Sequence, residues 1–273
     1  MGTVIGIDVG GSTTKIVGFD KNRRLIDPIC VKANDPVAST YGAFGKFTDC
    51  NSIDLNEIDR IMMTGVGSSY LLKPIYGLDC EKVAEFDCIG HGGLYVSGLS
   101  SAVVVSMGTG TAIVDAKEGK KPVYLGGTGI GGGTLTGLSK KLIGVRNIDD
   151  IIELAGNGNL ANVDLRVCDM TPSIEGMNND LTASNFGRVS DLATKEDLAL
   201  GLVNMVFETA LMMSVFAARH KNQHNIIMTG NLTKIPQAKK IFDTLGPVFE
   251  KNIIIPENSS FATAIGCALS GLQ

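Results

Sequence analysis

The chain has 273 residues, of which 44% are hydrophobic and 19% are charged, and its formal net charge is −4. This length allows two modest domains, and a small negative charge without a basic stripe favours a small-molecule partner over nucleic acid or an acidic membrane surface. Six cysteines without a C-x-x-C pair argue against a zinc site or disulfide framework, and we expect no apolar run long enough to span a membrane, which predicts a cytoplasmic protein.

The first 95 residues or so predict an α/β half. Three strands come first, and a glycine turn separates the first two. The pattern then predicts, in order, a helix over about Asp35–Phe47, a strand at Arg60–Met63, a short helix around Ser68–Leu72 and a helix that begins near Phe86. We place a first domain at residues 1–100.

The second half repeats this order of elements. The pattern first predicts strands at Ser101–Met107, Ala112–Ala116 and Val123–Leu125, a glycine-rich turn, and helices at Gly133–Ile143 and Asp149–Ala155. The polar stretch Asn157–Arg188 has little periodicity and predicts a loop or subunit contact. After it come a central helix at Lys195–His220, a strand at Ile226–Met228, a helix at about Lys234–Leu245, a strand at Ile253–Ile255 and a final helix at Phe261–Leu269. These elements form a second domain, residues 101–273, whose last helix is expected to pack back on the first.

Two glycine turns, about a hundred residues apart, predict a polyphosphate site. Each copy consists of a strand, a glycine turn and a strand, over Gly6–Lys15 and again over Val105–Thr111. Glycine lets the backbone approach an anion closely, so that successive N–H groups converge on it. In the first copy, Asp8 can hold Mg²⁺ through water and Lys15 can counter phosphate charge. An ordinary tight hairpin is the alternative, and the second copy argues against it.

A second glycine cluster, Gly126–Gly137, holds seven glycines in twelve residues. So many glycines cost backbone entropy unless a ligand approaches, so we expect this segment to line a nucleotide. The helix that follows adds N–H groups at its N-terminus. Farther on, Asn231 follows a strand, where it can bond a nucleoside or only cap a helix, and both remain open.

Glu85 is the candidate general base. It lies beside apolar residues at the end of a predicted strand, between the two halves. A cleft carboxylate can take a proton from an alcohol, a role worth roughly 10²–10⁴-fold in rate. The competing interpretation is a first-turn acid of the next helix, stabilised by the helix N-terminus.

Together these residues resemble the actin, sugar kinase and heat-shock chaperone superfold, and within it the type II (eukaryotic-like) pantothenate kinases. The resemblance rests on six segments that span nearly the whole chain in the family's order: Asp8–Lys15, Glu85–Asp87, Met107–Thr111, Gly127–Gly133, Asp180–Gly187 and Glu257–Gly266. It implies two duplicated actin-like (ribonuclease H-like) α/β domains around an ATP cleft.

The resemblance also implies an activity and a set of site residues. The activity is Mg-ATP-dependent phosphorylation of the primary hydroxyl of pantothenate, the first step towards coenzyme A, in a homodimer. Glu85 is the implied catalytic base. The implied ATP contacts are Asp8, Val9, Gly10, Gly11, Ser12, Thr13, Thr14, Lys15, Thr109, Gly132, Gly133, Thr134, Leu135, Thr136, Ile148 and Asn231.

One position departs from the family's pattern. Family members commonly carry an acceptor-binding arginine three residues before the equivalent of Gly127, and this chain has Tyr124 there. Arginine offers a charged, bidentate fork, whereas tyrosine offers a single neutral hydroxyl. Either Lys120, Lys121 or Arg188 recognises the anion, or the acceptor is a related alcohol or hydroxy acid.

Two non-kinase interpretations share the superfold. An ATP-driven activator of a 2-hydroxyacyl-CoA dehydratase needs cysteine ligands for an iron–sulfur cluster between two subunits, and here no two cysteines are closer than eight positions. A polymerising actin-like protein would not need Glu85 in the cleft.

Overall fold

The computed structural model describes residues 2–32, 35–170 and 181–272. The first half contains, in chain order, β1 (Thr3–Val9), β2 (Thr13–Phe19), β3 (Leu25–Lys32), α1 (Pro36–Cys50), β4 (Ile58–Thr64), β5 (Cys80–Lys82) and α2 (Glu85–Ser97). Its five strands form one sheet in the order β3-β2-β1-β4-β5. Asp35 caps α1 by accepting a hydrogen bond from the Ala38 N–H, and Pro36 starts the helix with a suitable φ.

The second half builds a sheet of the same size. Its elements are β6 (Ser101–Met107), β7 (Thr111–Lys117), β8 (Val123–Thr128), α3 (Gly132–Leu142), α4 (Ile148–Gly156), β9 (Leu165–Arg166), α5 (Val167–Met170), β10 (Thr182–Ser184), α6 (Lys195–His220), β11 (Asn225–Thr229), α7 (Pro236–Leu245), β12 (Asn252–Ile254) and α8 (Ala262–Ser270). The main sheet has the order β12-β11-β6-β7-β8, and β9 and β10 form a separate pair.

The two main sheets have the same topology. In each, the central strand (β1 or β6) and the next two strands form an antiparallel meander. On its other side, the central strand pairs in parallel with a later strand, which pairs in parallel with another. Parallel pairs need a long crossover connection, and the helices supply it. The predicted duplicated α/β fold is therefore confirmed.

The central strands are buried on both faces. Val4, Ile5 and Ile7 of β1 have no exposed surface, and neither do Val103, Val104 and Val105 of β6. Continuous apolar runs, rather than alternating ones, are typical of strands covered on both sides. This explains why the two strands carry the clearest β pattern in the sequence.

Helices α2 and α8 pack against each other between the two sheets. Helix α8 contacts β1, β2 and β4 of the first sheet, whereas α2 contacts β6 and β7 of the second. The two backbones approach so closely that a Cβ on Gly92 would collide with the Ala262 carbonyl, and one on Gly266 with the Cys88 carbonyl. The last helix thus covers the first sheet, and the division of the chain at residue 100 stays a prediction.

Three local expectations differ from the structure. The strand predicted to end at Leu125 continues to Thr128, because the glycine backbone keeps pairing with β7. The short helix predicted at Ser68–Leu72 is a 3₁₀ turn at Val66–Tyr70. The stretch Asn157–Arg188 is not a plain loop, since it contains β9, α5 and β10, and its residues 171–180 lie outside the described residues.

The expectation that no segment is long and apolar enough to span a membrane was wrong. Among the described residues, α6 has this length and composition, with a mean hydropathy of 1.7 in its most apolar window. However, 61% of that window is buried inside the protein. Its apolar residues, such as Val203, Phe207 and Leu211, lie in the core of the second half. The apolar composition of α6 is explained by this core packing.

Candidate active site

The two predicted glycine turns face each other across a cleft between the sheets. The Gly10 N–H donates to the Thr13 carbonyl at 3.0 Å and closes the first turn, and the Gly108 N–H donates to the Gly110 carbonyl at 2.9 Å in the second. A Cβ on Gly11 would lie 3.4 Å from Thr109 Oγ1, so the turns are near neighbours. Backbone N–H groups and hydroxyls from both halves thus surround one space.

The space between the turns is a cavity of about 560 Å³. Its walls include eight of the residues assigned from the sequence, Gly10, Gly11, Ser12, Thr13, Lys15, Glu85, Thr109 and Asn231. Phe86, Tyr124, Gly127, Thr128 and Gly129 also line it. A cavity of this size suits a nucleotide-sized ligand with its phosphates between the turns.

Asn231 joins the two halves at the cleft. Its side-chain Nδ2 donates to Thr13 Oγ1 at 3.0 Å, across 218 positions of sequence. Asn231 also begins a 3₁₀ turn after Gly230, and that turn has no side-chain cap. Of the two interpretations that the sequence left open, the structure thus gives Asn231 a contact in the cleft and no capping hydrogen bond.

The second glycine cluster packs chiefly against protein backbone. The N–H groups of Gly132 and Gly133 donate to the carbonyls of Gly108 and Thr109, both at 2.9 Å. A Cβ on Gly131 would lie 2.6 Å from the Thr109 carbonyl oxygen. These glycines let the start of α3 pack against the second turn, and of the described residues of the cluster only Gly127, Thr128 and Gly129 line the cavity.

Asp8 and Lys15 are a cross-strand pair beneath the first turn, in which Lys15 is buried and Asp8 is half-buried. They are directly opposite in the β1–β2 register, and Lys15 is only 6% exposed. Burial raises the pKa of Asp8 and the Lys15 charge opposes that rise, while burial lowers the pKa of Lys15 and Asp8 opposes it. The pair places one negative and one positive group next to the phosphate turn.

The structure adds Thr64 and Gly65 to this region. Thr64 is opposite Asp8 in the parallel β1–β4 register, and its buried Oγ1 has no hydrogen-bond partner. Gly65 has φ of +86°, and a Cβ there would lie 2.7 Å from Asp8 Oδ1. The sequence carried a signal for this pair, because Met63-Thr64-Gly65 recurs as Met228-Thr229-Gly230 at the matching strand end of the other half.

These residues fit a magnesium ion. Mg²⁺ prefers oxygen ligands and is usually held by one or two carboxylates together with waters and substrate phosphates. Asp8 supplies a carboxylate and the unpartnered Thr64 hydroxyl supplies a further oxygen beside it. Within the described ranges there is no cluster of three or more His, Cys, Asp or Glu side chains that could hold a metal ion.

Glu85 is the first residue of α2, which makes it a first-turn acid, and its role as general base stays a prediction. It belongs to the acidic first turn of the helix, and its side chain also lines the cleft. Burial raises its pKa, and the neighbouring Asp8 charge raises it further. A carboxylate with a raised pKa is a stronger proton acceptor, and its place in the cleft suits a general base.

Several assigned residues do not line the cavity. Val9 and Leu135 are fully buried in the core, and Ile148 starts α4 and packs against the core of the second half. Thr14 Oγ1 bonds Ser39 Oγ at 2.7 Å. The hydroxyls of Thr134 and Thr136 donate to the carbonyls of Gly129 and Gly132. The contribution of these residues to ATP binding stays a prediction.

Tyr124 lies in the cleft and stacks on Phe86, which the sequence analysis did not single out. The ring centroids are 4.0 Å apart and the planes differ by 12°. The three cations offered in place of the family arginine do not line this cavity. Lys121 Nζ lies 3.7 Å from Asp87 Oδ2, Arg188 pairs with Asp169 at 3.1 Å, and Lys120 borders a separate cavity.

A family model described as Fumble matches residues 99–251, which is more than half of the chain. This chain belongs to the Fumble family. The type II pantothenate kinase of Bacillus cereus (strain G9842) is 29% identical to it, with 98% of both chains covered. The type II pantothenate kinase of Staphylococcus saprophyticus is 30% identical, over 83% of this chain and 84% of its own length. The type II pantothenate kinase of Staphylococcus aureus (strain MRSA252) is 26% identical, over 98% of this chain and 99% of its own length.

Solved structures show that this Fumble protein shares its fold with more distant proteins. Component A of (R)-2-hydroxyglutaryl-CoA dehydratase from Acidaminococcus fermentans superposes with a TM-score of 0.69, at 14% identity, over 99% of this chain and 97% of that one. The activator of 2-hydroxyisocaproyl-CoA dehydratase from Clostridium difficile, with bound ADPNP, superposes with a TM-score of 0.68 at 14% identity, over 98% of this chain and 93% of that one. At this identity the likeness concerns the fold alone.

Proposed function

We propose that this Fumble protein is a pantothenate kinase, which uses ATP to phosphorylate the primary hydroxyl of pantothenate to 4'-phosphopantothenate in coenzyme A biosynthesis. Its similarity to type II pantothenate kinases over nearly the full length of both chains carries this proposal. The cleft supports it, because two facing glycine turns and an acidic side chain share one cavity. Together these features provide a phosphate site and a candidate base.

The two turns and Asn231 bind ATP in this proposal. Gly10–Thr13 and Gly108–Thr111 offer N–H and hydroxyl donors to the phosphates, and Lys15 adds positive charge beneath them. Asp8, through water, would hold the Mg²⁺ ion, which neutralises phosphate charge when bound. Such positioning and charge neutralisation supply most of the catalysis in phosphoryl transfer.

Glu85 acts as the general base. The acceptor oxygen attacks the γ-phosphorus, its proton passes to the Glu85 carboxylate, and the bond to the β–γ bridging oxygen breaks so that ADP leaves. Glu85 is suited to this step because it lines the same cavity as both phosphate turns. Glu85 is also the first residue of a helix that packs between the two sheets, so its backbone is held by a rigid element.

The proposal includes the setting in which the enzyme works. We infer a cytoplasmic homodimer, on the resemblance to the type II kinases. All six cysteines are free thiols, as expected in a reducing compartment. The partner is a small hydroxylated acceptor, and neither nucleic acid nor a membrane takes part.

Mass spectrometry of ATP-dependent products tests this function. The purified chain is incubated with Mg-ATP and pantothenate, and in parallel with pantoate, pantetheine and small hydroxy acids. We expect phosphorylated product from pantothenate or its close derivatives and none from the small hydroxy acids. If protein that binds ATP forms no phosphorylated product from any of these acceptors, the kinase proposal is overturned and an ATP-driven conformational role is favoured.

A further inference from the structure

The acceptor side of the cleft carries an aromatic pair beside the candidate base. Phe86 directly follows Glu85 at the start of α2, and Tyr124 comes from β8 of the other sheet. Their rings are stacked, yet Phe86 is 38% exposed and Tyr124 is 48% exposed. Two large rings that keep this much surface open on a cavity wall present an apolar face to whatever occupies the cavity.

Among the described residues of the cavity lining, no cation is free to receive an anionic group. Among the described residues that line the cavity, Lys15 is the only positively charged one, and it already faces the Asp8 carboxylate across the β1–β2 register. The charged side chain that lines the cavity next to Phe86 is negative instead, because it is Glu85. Lys121 pairs with Asp87 outside the cavity lining.

The Glu85 charge penalises an acceptor that ends in a carboxylate. Such an acceptor would bring a further negative charge towards Glu85, and like charges repel. An acceptor that ends in a neutral amide brings no charge, and its carbon chain can pack on the ring faces. The same hydroxyl would then be offered to Glu85 without an electrostatic cost.

We propose that Phe86 and Tyr124 form an acceptor wall that selects pantothenate-like alcohols with a neutral amide tail over those with a carboxylate. This inference rests on the proposed kinase function and names the acceptor class of the same site. The Tyr124 hydroxyl lies close to the backbone of β8, because a Cβ built on Gly127 of that strand would be 3.2 Å from the hydroxyl oxygen. It can therefore hydrogen-bond an amide group in the cavity while the ring supplies the wall.

Steady-state kinetics with two matched acceptors test the wall. Pantothenate and its N-propyl amide share the reacting hydroxyl and differ only in the charge and length of the tail. For the unaltered chain we expect kcat/KM to be about tenfold or more higher for the amide. Equal values, or a preference for pantothenate, would overturn the acceptor wall and leave the kinase function standing.

Substitution of Tyr124 gives the second arm. In Tyr124→Arg a guanidinium enters the wall, and the preference should shift by about tenfold or more towards pantothenate, through the acceptor KM and with the KM for ATP unchanged. Tyr70→Arg is the matched control, because Tyr70 is exposed and outside the cavity lining. It adds the same charge and should leave the preference as it is.

The outcomes separate the two proposals. If Tyr124→Arg has the same preference between the amide and pantothenate as the unaltered chain, the acceptor wall does not set that preference. This result would overturn the acceptor wall but not the kinase function. Loss of the amide's advantage in Phe86→Ala, with the KM for ATP retained, supports the wall without relying on the arginine variant. No turnover of either acceptor by the unaltered chain would overturn the kinase function, and the acceptor wall with it.

Discussion

At the residue scale, single side chains take their roles from the groups around them. Glu85 is an acid at a helix start, as many acids are, but its position on the cavity wall sets it apart from the others. Partial burial removes water from its carboxylate and the Asp8 charge lies nearby, and both effects raise the pKa of Glu85. The residue therefore combines a stabilising helix position with the chemistry of a proton acceptor.

Glu85→Gln should abolish most phosphoryl transfer while ATP still binds. The amide keeps the size of the side chain but cannot accept the proton, so we expect kcat to fall by roughly 10²–10⁴-fold. Glu196→Gln is the matched control, since Glu196 is also in an acidic first turn, that of α6, far from the cavity lining. Nucleotide titration and turnover are measured on both variants. Full turnover by Glu85→Gln would show that another group takes the proton.

Asp197 is a second acid whose surroundings decide its behaviour. It is 4% exposed and accepts hydrogen bonds from the Thr194 N–H at 3.0 Å, the Asn159 N–H at 2.7 Å and Asn162 Nδ2 at 3.0 Å. These hydrogen bonds lower the pKa of Asp197 to about 2, and the bond from the Thr194 N–H has the largest effect. Asp197 thereby connects the start of α6 to the turn after α4.

Asp197→Asn should destabilise the protein in a pH-dependent way. Because the folded pKa lies below the unfolded one, the carboxylate stabilises the fold above about pH 4, and this contribution disappears as the pH falls towards 2. We expect a loss of about 1–3 kcal/mol in the free energy of unfolding at pH 7, shrinking below pH 4. Urea unfolding at several pH values measures it, with the exposed Asp191→Asn as control. A loss that is the same at pH 7 and pH 3 would contradict the prediction.

At the element scale, the second glycine turn and the start of α3 act as one unit. The N–H groups of α3 donate to carbonyls of the turn, and Gly131 leaves no space for a side chain between them. The turn is therefore held in place by a helix start, so the glycine-rich segment supports the second glycine turn. A helix fixed in this way pre-organises the turn for its ligand.

Gly131→Ala should weaken ATP binding more than it weakens folding. The added Cβ would meet the Thr109 carbonyl and Gly110 Cα at 2.6 and 2.7 Å, and would push α3 away from the turn. We expect the ATP dissociation constant to rise by about tenfold or more, as measured by nucleotide titration.

Gly137→Ala is the control for this prediction. Gly137 lies in the same helix, and a Cβ there would have nothing within 4 Å. This variant should bind ATP normally and gain about 0.5–1 kcal/mol of stability, because alanine loses less backbone entropy in a helix. Equal ATP affinity in both variants would mean that the spacing between α3 and the turn does not matter.

At the scale of the whole molecule, the α2–α8 crossing holds the two halves together. Helix α8 covers the first sheet and α2 covers the second, and glycines let their backbones meet. Because Glu85 starts α2, the same crossing places the candidate base against the phosphate turns of both halves. The cleft geometry thus depends on a contact remote from the ligand.

Gly92→Ala should be severely destabilising. Its Cβ would overlap the Ala262 carbonyl, and the two helices cannot separate without opening the contact between the sheets. Overpacking of this kind costs about 1–3 kcal/mol or more. Thermal unfolding measures the effect, and Gly42→Ala in the exposed part of α1, with nothing within 4 Å, should be neutral or stabilising. A stability of Gly92→Ala close to that of the unaltered chain would contradict close packing at this crossing.

The sequence by itself determined the duplicated fold and the two glycine turns. Apolar runs broken by glycine are local patterns, and strands such as β1 and β6 carry them without interruption because both of their faces are buried. The same local signal predicted α6 and α8 nearly to their ends. It also placed Glu85 between the halves, although a first-turn acid and a cleft acid give identical sequence patterns.

Only the tertiary structure decided which distant residues meet. Asn231 bonds Thr13 across 218 positions, Tyr124 of β8 stacks on Phe86 of α2, and the Thr64 hydroxyl lies next to Asp8. Sequence periodicity reports which face of an element is buried, but it does not report the register or the neighbour across a sheet or a cleft. Those depend on how the two sheets pack around α2 and α8, and this packing brings Phe86 and Tyr124 together on the wall of the cleft.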